Sequence, residues 1–162
     1  MNLIARFFFT ALFLVSFAAM AEPLKWRHSH HVTKAEAVEV GDLTGHSLTV
    51  AKGSGLGFFE NGDVATLAIT AIVDYVNGSG PFSGYVTYNF EDGASFTIKI
   101  VGTTTTAVGG KSSALKGEFT FTQGAGRFAG IKGGGAYSAK RLSSALSGGS
   151  EVYMDFSGDY SH

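Results

Sequence analysis

The residues able to do chemistry fall into three groups. The first is the run His28-Ser29-His30-His31. Imidazole binds divalent metals, and in an extended segment His28 and His30 share one side while His31 takes the other. No carboxylate or cysteine stands beside them in sequence to complete a ligand set. His28, His30 and His31 are therefore the candidates for a metal, and the expectation is that the chain holds neither metal nor cofactor. The second group is two acids: Asp74, beside Tyr75 late in the most apolar stretch, and Glu60, after Phe58-Phe59. A carboxylate turned inward there would be desolvated and would hold its proton more tightly. It could then act as an acid or steer charge on a bound ligand. Glu118 lies across its strand from Phe119 and Phe121 and reads as solvent-facing. The third group is aromatic. Tyr75, Tyr88, Phe90, Phe96, Phe119 and Phe121, with Phe156, either line a ligand cavity or pack as a core. No Gly-x-Ser-x-Gly motif and no cysteine occurs, which argues against a hydrolase built on an activated nucleophile.

These residues sit on a chain written almost wholly in period two. Over Val64–Val76, Ala65, Leu67, Ile69, Ala71, Val73 and Tyr75 make one unbroken apolar face. Val64, Thr66, Ala68, Thr70, Ile72 and Asp74 make a mixed one. The β-branched content and the flanking Asn61-Gly62 and Asn77-Gly78 pairs favour a long central strand covered on both sides. Phe82–Phe90 and Phe96–Ile100 alternate in the same way, with a tight hairpin at Asp92-Gly93. Ala35–Val40 and Ser47–Ala51 are further strands, and Gly53-Ser54-Gly55 breaks the pattern after them. Thr103–Lys111 reads as a polar loop, Ser113–Thr122 as a strand, Ala136–Leu142 as another, 147–150 as a turn and Glu151–Tyr160 as the last strand. About eight strands with short turns imply a closed antiparallel β-barrel or a sandwich. Residues 22–34, with Pro23 and Trp26, read as an arm leading into a barrel domain at 35–162.

The stretch Gly117–Tyr137 organises the rest. Phe119 and Phe121 face one side of a strand. Gly124, Gly126 and Gly130 permit a compact turn. Phe128 is placed to plug one end of the core, and Arg127 to cap carbonyls where the strand stops. The sequence GAGRFAGIKGGGAY resembles the glycine-rich corner of the allene oxide cyclase-like and dirigent-like barrel proteins, with Ala125 where threonine is common. Phe90-Glu91-Asp92-Gly93 resembles the acidic hairpin that those proteins carry upstream. The resemblance implies an all-β fold, a closed calycin-type antiparallel barrel of about eight strands. It also implies an apolar cavity that shapes a substrate, and association through barrel walls. It assigns no catalytic position here.

Composition bounds the rest. The 162 residues carry a formal charge of −1, and no basic stripe interleaves with aromatics, so nucleic acid is not an expected partner. The 23 glycines and two prolines suit tight turns between strands. Residues 1–21 read as a signal peptide: Arg6, a largely apolar run over Phe7–Ala18, and Ala19-Met20-Ala21 as the cleavage site. That run is short for a membrane span of about 20 residues. The expectation is a periplasmic or secreted protein without a membrane contact after cleavage. Its first function is binding a small apolar or aromatic ligand. The alternatives are a cofactor-independent cyclase or isomerase using the same cavity, and a structural or interaction module with a filled barrel. An apolar outer face on Val64–Val76 would favour a homo-oligomer, a trimer being one form.

Overall fold

Alternation of apolar and polar residues is carried through nearly every strand of the computed structural model, which describes residues 21–142 and 150–162. The targeting segment expected at 1–21 lies outside them except for Ala21, as does most of the turn expected at 147–150. The strands are β1 Glu22–Glu39, β2 His46–Phe59, β3 Val64–Val76, β4 Gly80–Phe90, β5 Ser95–Thr106, β6 Ser113–Ala125, β7 Lys132–Arg141 and β8 Glu151–Ser161. Each pairs antiparallel with the next, and β1 pairs with β8, so the sheet closes into an eight-stranded barrel without a crossover. Closure places one face of every strand inside and leaves the other to solvent.

The central stretch behaves as its period requires. Ala65, Leu67, Ile69, Ala71 and Tyr75 of β3 are buried inside. The mixed face is not covered as expected: Val64 and Ile72 keep 51% and 55% of their surface exposed. A single closed sheet has one interior, and the apolar face takes it.

Two expectations about the first part of the chain are corrected. Residues 22–34 are not an arm outside the barrel but most of β1, which pairs with β8 from Glu22 to His31. Its inward positions are Trp26, His28 and His30, all buried, so the strand hides its alternation behind two histidines. Gly53-Ser54-Gly55 does not break β2, which runs through it. Gly57 stands opposite His28, and Gly55 opposite His30. A methyl group at Gly57 would come within 3.0 Å of the Tyr88 ring, and one at Gly53 within 3.3 Å of the His30 ring. The missing side chains make room for bulky polar rings inside. The part that does project is later: beyond a bulge at Val32–Lys34, β1 pairs with β2 and its residues from Thr33 to Glu39 are exposed. The polar loop expected from Thr103 begins later as well, since β5 continues to Thr106. Thr104 is buried there, bonded to the Tyr75 hydroxyl at 2.5 Å.

Between β6 and β7 the chain makes one 3-10 turn, Gly126–Phe128. Gly126 and Gly130 take φ of +63° and +81°, left-handed conformations that a side chain strains. Phe128 is buried, 5.0 Å from Phe90 and 5.1 Å from Phe96 between ring centres. Among the described residues Arg127 caps no carbonyl. Its guanidinium lies over the Phe90 and Phe128 rings and pairs with Asp63 at 2.5 Å and Asp92 at 3.5 Å. It thereby ties the β2–β3 and β4–β5 hairpins to the corner.

Candidate functional site

The interior divides along its axis. The half next to the Gly126–Phe128 turn is filled by stacked rings. Trp26 lies at its centre, parallel to Phe156 at 4.5 Å and edge-on to Phe119 at 5.1 Å. Tyr88, Phe90, Phe96 and Phe121 surround it in contact with one another. Pairs of this kind contribute about 0.5–1.5 kcal/mol each beyond the area they bury. Glycine again makes the space: Gly135 and Gly158 face each other across β7 and β8. A methyl group on Gly158 would reach within 2.8 Å of the Phe119 ring.

From this cluster a chain of polar groups leads toward the other half. Trp26 Nε1–H donates to the Tyr88 oxygen at 3.0 Å. That oxygen lies 2.6 Å from His28 Nδ1, and His28 Nε2 lies 3.1 Å from His30 Nδ1. The indole can only donate, so Tyr88 accepts from it and is satisfied by donating to His28 Nδ1. His28 then carries its proton on Nε2 and donates to His30 Nδ1. His30 is left with its proton on Nε2. One arrangement of protons satisfies the whole chain, and it requires both rings to be neutral. Burial, and then repulsion from His30, holds His28 well below the ordinary histidine range. Burial and the nearby Arg141 charge bring His30 down to about 4. Burial raises the Tyr88 hydroxyl above its usual range, against the pull of the Trp26 bond.

The chain of donors ends at a cavity. In the half away from the turn a space of about 50 Å³ is left between the lining side chains. One solvent site needs about 10–15 Å³, so the cavity exceeds a single water. Its wall is apolar: Ile69, Ala71, Val73, Phe82, Ile100 and Leu115 among others. Its polar edge is His30 and Arg141, together with the already bonded Tyr75; Lys52 borders it too, but lies exposed between the inward Ala51 and Gly53. Among the described residues the buried Arg141 Nε has no hydrogen-bond partner.

The residues singled out by sequence separate accordingly. Tyr75 lines the cavity. Tyr88, Phe90, Phe96, Phe119 and Phe121 are buried in the packed half and do not. Asp74 is on the outer face, because Tyr75 beside it is inside. It accepts from His46 Nε2 at 2.7 Å, while His46 Nδ1 donates to Asp42 at 2.5 Å. The bonds to Asp74 and then Asp42 raise the His46 pKa. Glu60 is exposed at the end of β2. Neither acid reaches the cavity, which corrects the expectation of an inward carboxylate. His28 and His30 are inside, whereas His31 is outside, 2.8 Å from Glu151. No cluster of three metal-ligating side chains occurs among the described residues. Sequence reasoning missed Arg141 and the role of His30. A signal for the last was present: alternate histidines at 28 and 30, and alternate glycines at 53, 55 and 57 that leave them room.

No protein-family model matches the chain, and no curated protein matches it. Among solved structures the chain is similar to a pterocarpan synthase dirigent protein. The two are 13% identical over 96% of this chain and 99% of that one, with a TM-score of 0.46. At that distance no residue role passes from one to the other.

Proposed function

We propose that the protein binds a small apolar ligand in the half of the barrel away from the Gly126–Phe128 turn. The observation that carries this reading is the uneven filling of the interior: rings pack one half solid, while the other keeps an apolar space of about 50 Å³. Cavities with a continuous apolar wall and a few polar groups at one edge are the usual form of small-molecule sites. Titration with 1-hexanol, followed by the methyl resonances of Ile69, Ile100 and Leu115, tests it. Saturable shifts at those methyls are expected, with the Phe119 and Phe121 rings undisturbed. No saturable shift would contradict the reading.

The proposal stops at binding. Asp74 and Glu60, the acids considered for a cyclase or isomerase, stand on the outside of the wall. Two further features belong to the same reading. The protein acts outside the cytoplasm, on the strength of the signal-like segment at 1–21. It also associates with itself through the outer face of β2 and β3. There Val50 stands beside Ile72, and Phe58 beside Val64, all exposed. Apolar contacts of this kind on neighbouring strands mark interaction surfaces when they form a continuous patch. Light scattering coupled to size exclusion is expected to return a homo-oligomer, a trimer or smaller, and a monomer at micromolar concentration would remove that feature.

A further inference from the structure

The polar edge of the cavity consists of donors. His30 brings a neutral imidazole whose Nδ1 is used by His28 and whose proton therefore sits on Nε2. Arg141 brings a guanidinium whose buried Nε is unpartnered among the described residues. Glu151, whose charge also reaches His30, is on the outer face and is bonded to His31. The Tyr75 hydroxyl is paired with Thr104. Among the described residues no carboxylate lines the cavity. A cation and a fixed N–H donor at one edge of an apolar space leave an acceptor of negative charge as the missing partner.

Resting on the proposed binding function, we infer that the ligand is an organic oxyanion: an apolar body against Ile69, Val73 and Ile100, with its charged oxygens held by Arg141 and His30. The Trp26–Tyr88–His28 chain is then a positioning device. It fixes which nitrogen of His30 carries the proton, so that the ring meets the ligand as a donor without itself becoming charged. A buried unpaired guanidinium nitrogen costs free energy in the empty protein, and the oxyanion satisfies it. The shared chemistry of carboxylates and phenolates is sufficient for this edge.

The inference is tested with hexanoate, 4-ethylphenolate and 1-hexanol, titrated into the whole protein by nuclear magnetic resonance, with the imidazole nitrogens labelled. The phenol is titrated above its own ionisation range, with hexanoate repeated there as the reference. Hexanoate at neutral pH is expected to bind at least about tenfold more tightly than 1-hexanol. It should also move the His30 Nε2 resonance of an Nε2–H tautomer. Binding by 4-ethylphenolate as well assigns the edge to oxyanions in general, and binding by hexanoate alone narrows it to carboxylates. Arg141→Gln should bring hexanoate down to the affinity of 1-hexanol. Tyr88→Phe should leave His30 in a mixture of tautomers. Equal affinity for hexanoate and 1-hexanol, or a His30 resonance that does not respond to hexanoate, overturns the inference while leaving the binding function intact. If none of the probes binds, both fall together.

Discussion

The two halves of the barrel interior are enclosed by the same strands but filled on different terms. In one, Trp26, Phe96, Phe119 and Phe156 meet ring against ring, and glycines at 135 and 158 open the wall to admit them. In the other, Ala71, Val73, Ile100 and Leu115, with Tyr75, Phe82 and Met154, line a space that they leave open. The boundary is the chain of polar groups from Trp26 to His30. The comparison teaches that aromatic abundance by itself does not make a binding site. The rings stabilise the barrel, and the space lies beyond them. The two acids weighed from sequence, Asp74 and Glu60, stand outside the wall, and the basic groups at the cavity edge are His30 and Arg141.

If the packed half carries the stability, its centre should be the most costly place to cut. Trp26→Ala is expected to lose about 3–5 kcal/mol, read as a lower urea midpoint. A loss below about 1 kcal/mol would erase the distinction between the halves. Acid should reveal the boundary next. The His30 pKa in the fold lies at about 4, below the 6.5 of the unfolded chain. Between those values the unfolded state binds more protons. The stability from His30 is therefore whole above pH 6.5 and falls, by on the order of 3 kcal/mol, as pH drops to 4. His28 acts in the same direction. His46 has the opposite sign: its pKa is raised, so its contribution is whole below pH 6.5 and fades as pH rises through its folded value. Replacing His30 by glutamine should flatten the acid limb, and an unchanged limb would show that the ring is already solvated.

Much of this frame was legible in sequence, for reasons that differ along the chain. The inner and outer faces of β3 could be read from Ala65 to Tyr75 because every inward residue but the last is aliphatic. The corner could be read because Gly126, Phe128 and Gly130 admit few other conformations. β1 could not. Its inward residues include two histidines, and what makes them compatible with a core is the set of glycines on β2, about 25 residues later in the chain, whose register only the closed sheet supplies. The cavity was illegible for a related reason. Arg141 and His30 come from different strands, and Arg141 has no neighbour in sequence that marks it as facing inward. Asp74 was misplaced because its local apolar setting is the outer face of the barrel, not the core.

Smaller changes sharpen the same contrast. Gly158→Ala places a methyl group against the Gly134 carbonyl and the Phe119 ring. It should cost about 1–3 kcal/mol by overpacking, and an unchanged melting temperature would mean that the packed half has slack. Gly130→Val meets no atom within 4 Å. It pays only for a left-handed backbone at φ +81°, about 1–2 kcal/mol. Equal stability there would show that the corner can relax.

The central claim is that the interior holds a usable apolar space in one half and none in the other. Diffraction from crystals pressurised with xenon tests this directly, since xenon enters dry apolar cavities. The account predicts one xenon site bounded by Ile69, Val73, Ile100 and Leu115, and none among Trp26, Phe96 and Phe119. Xenon among the aromatic rings, or an interior that takes up none, would contradict it.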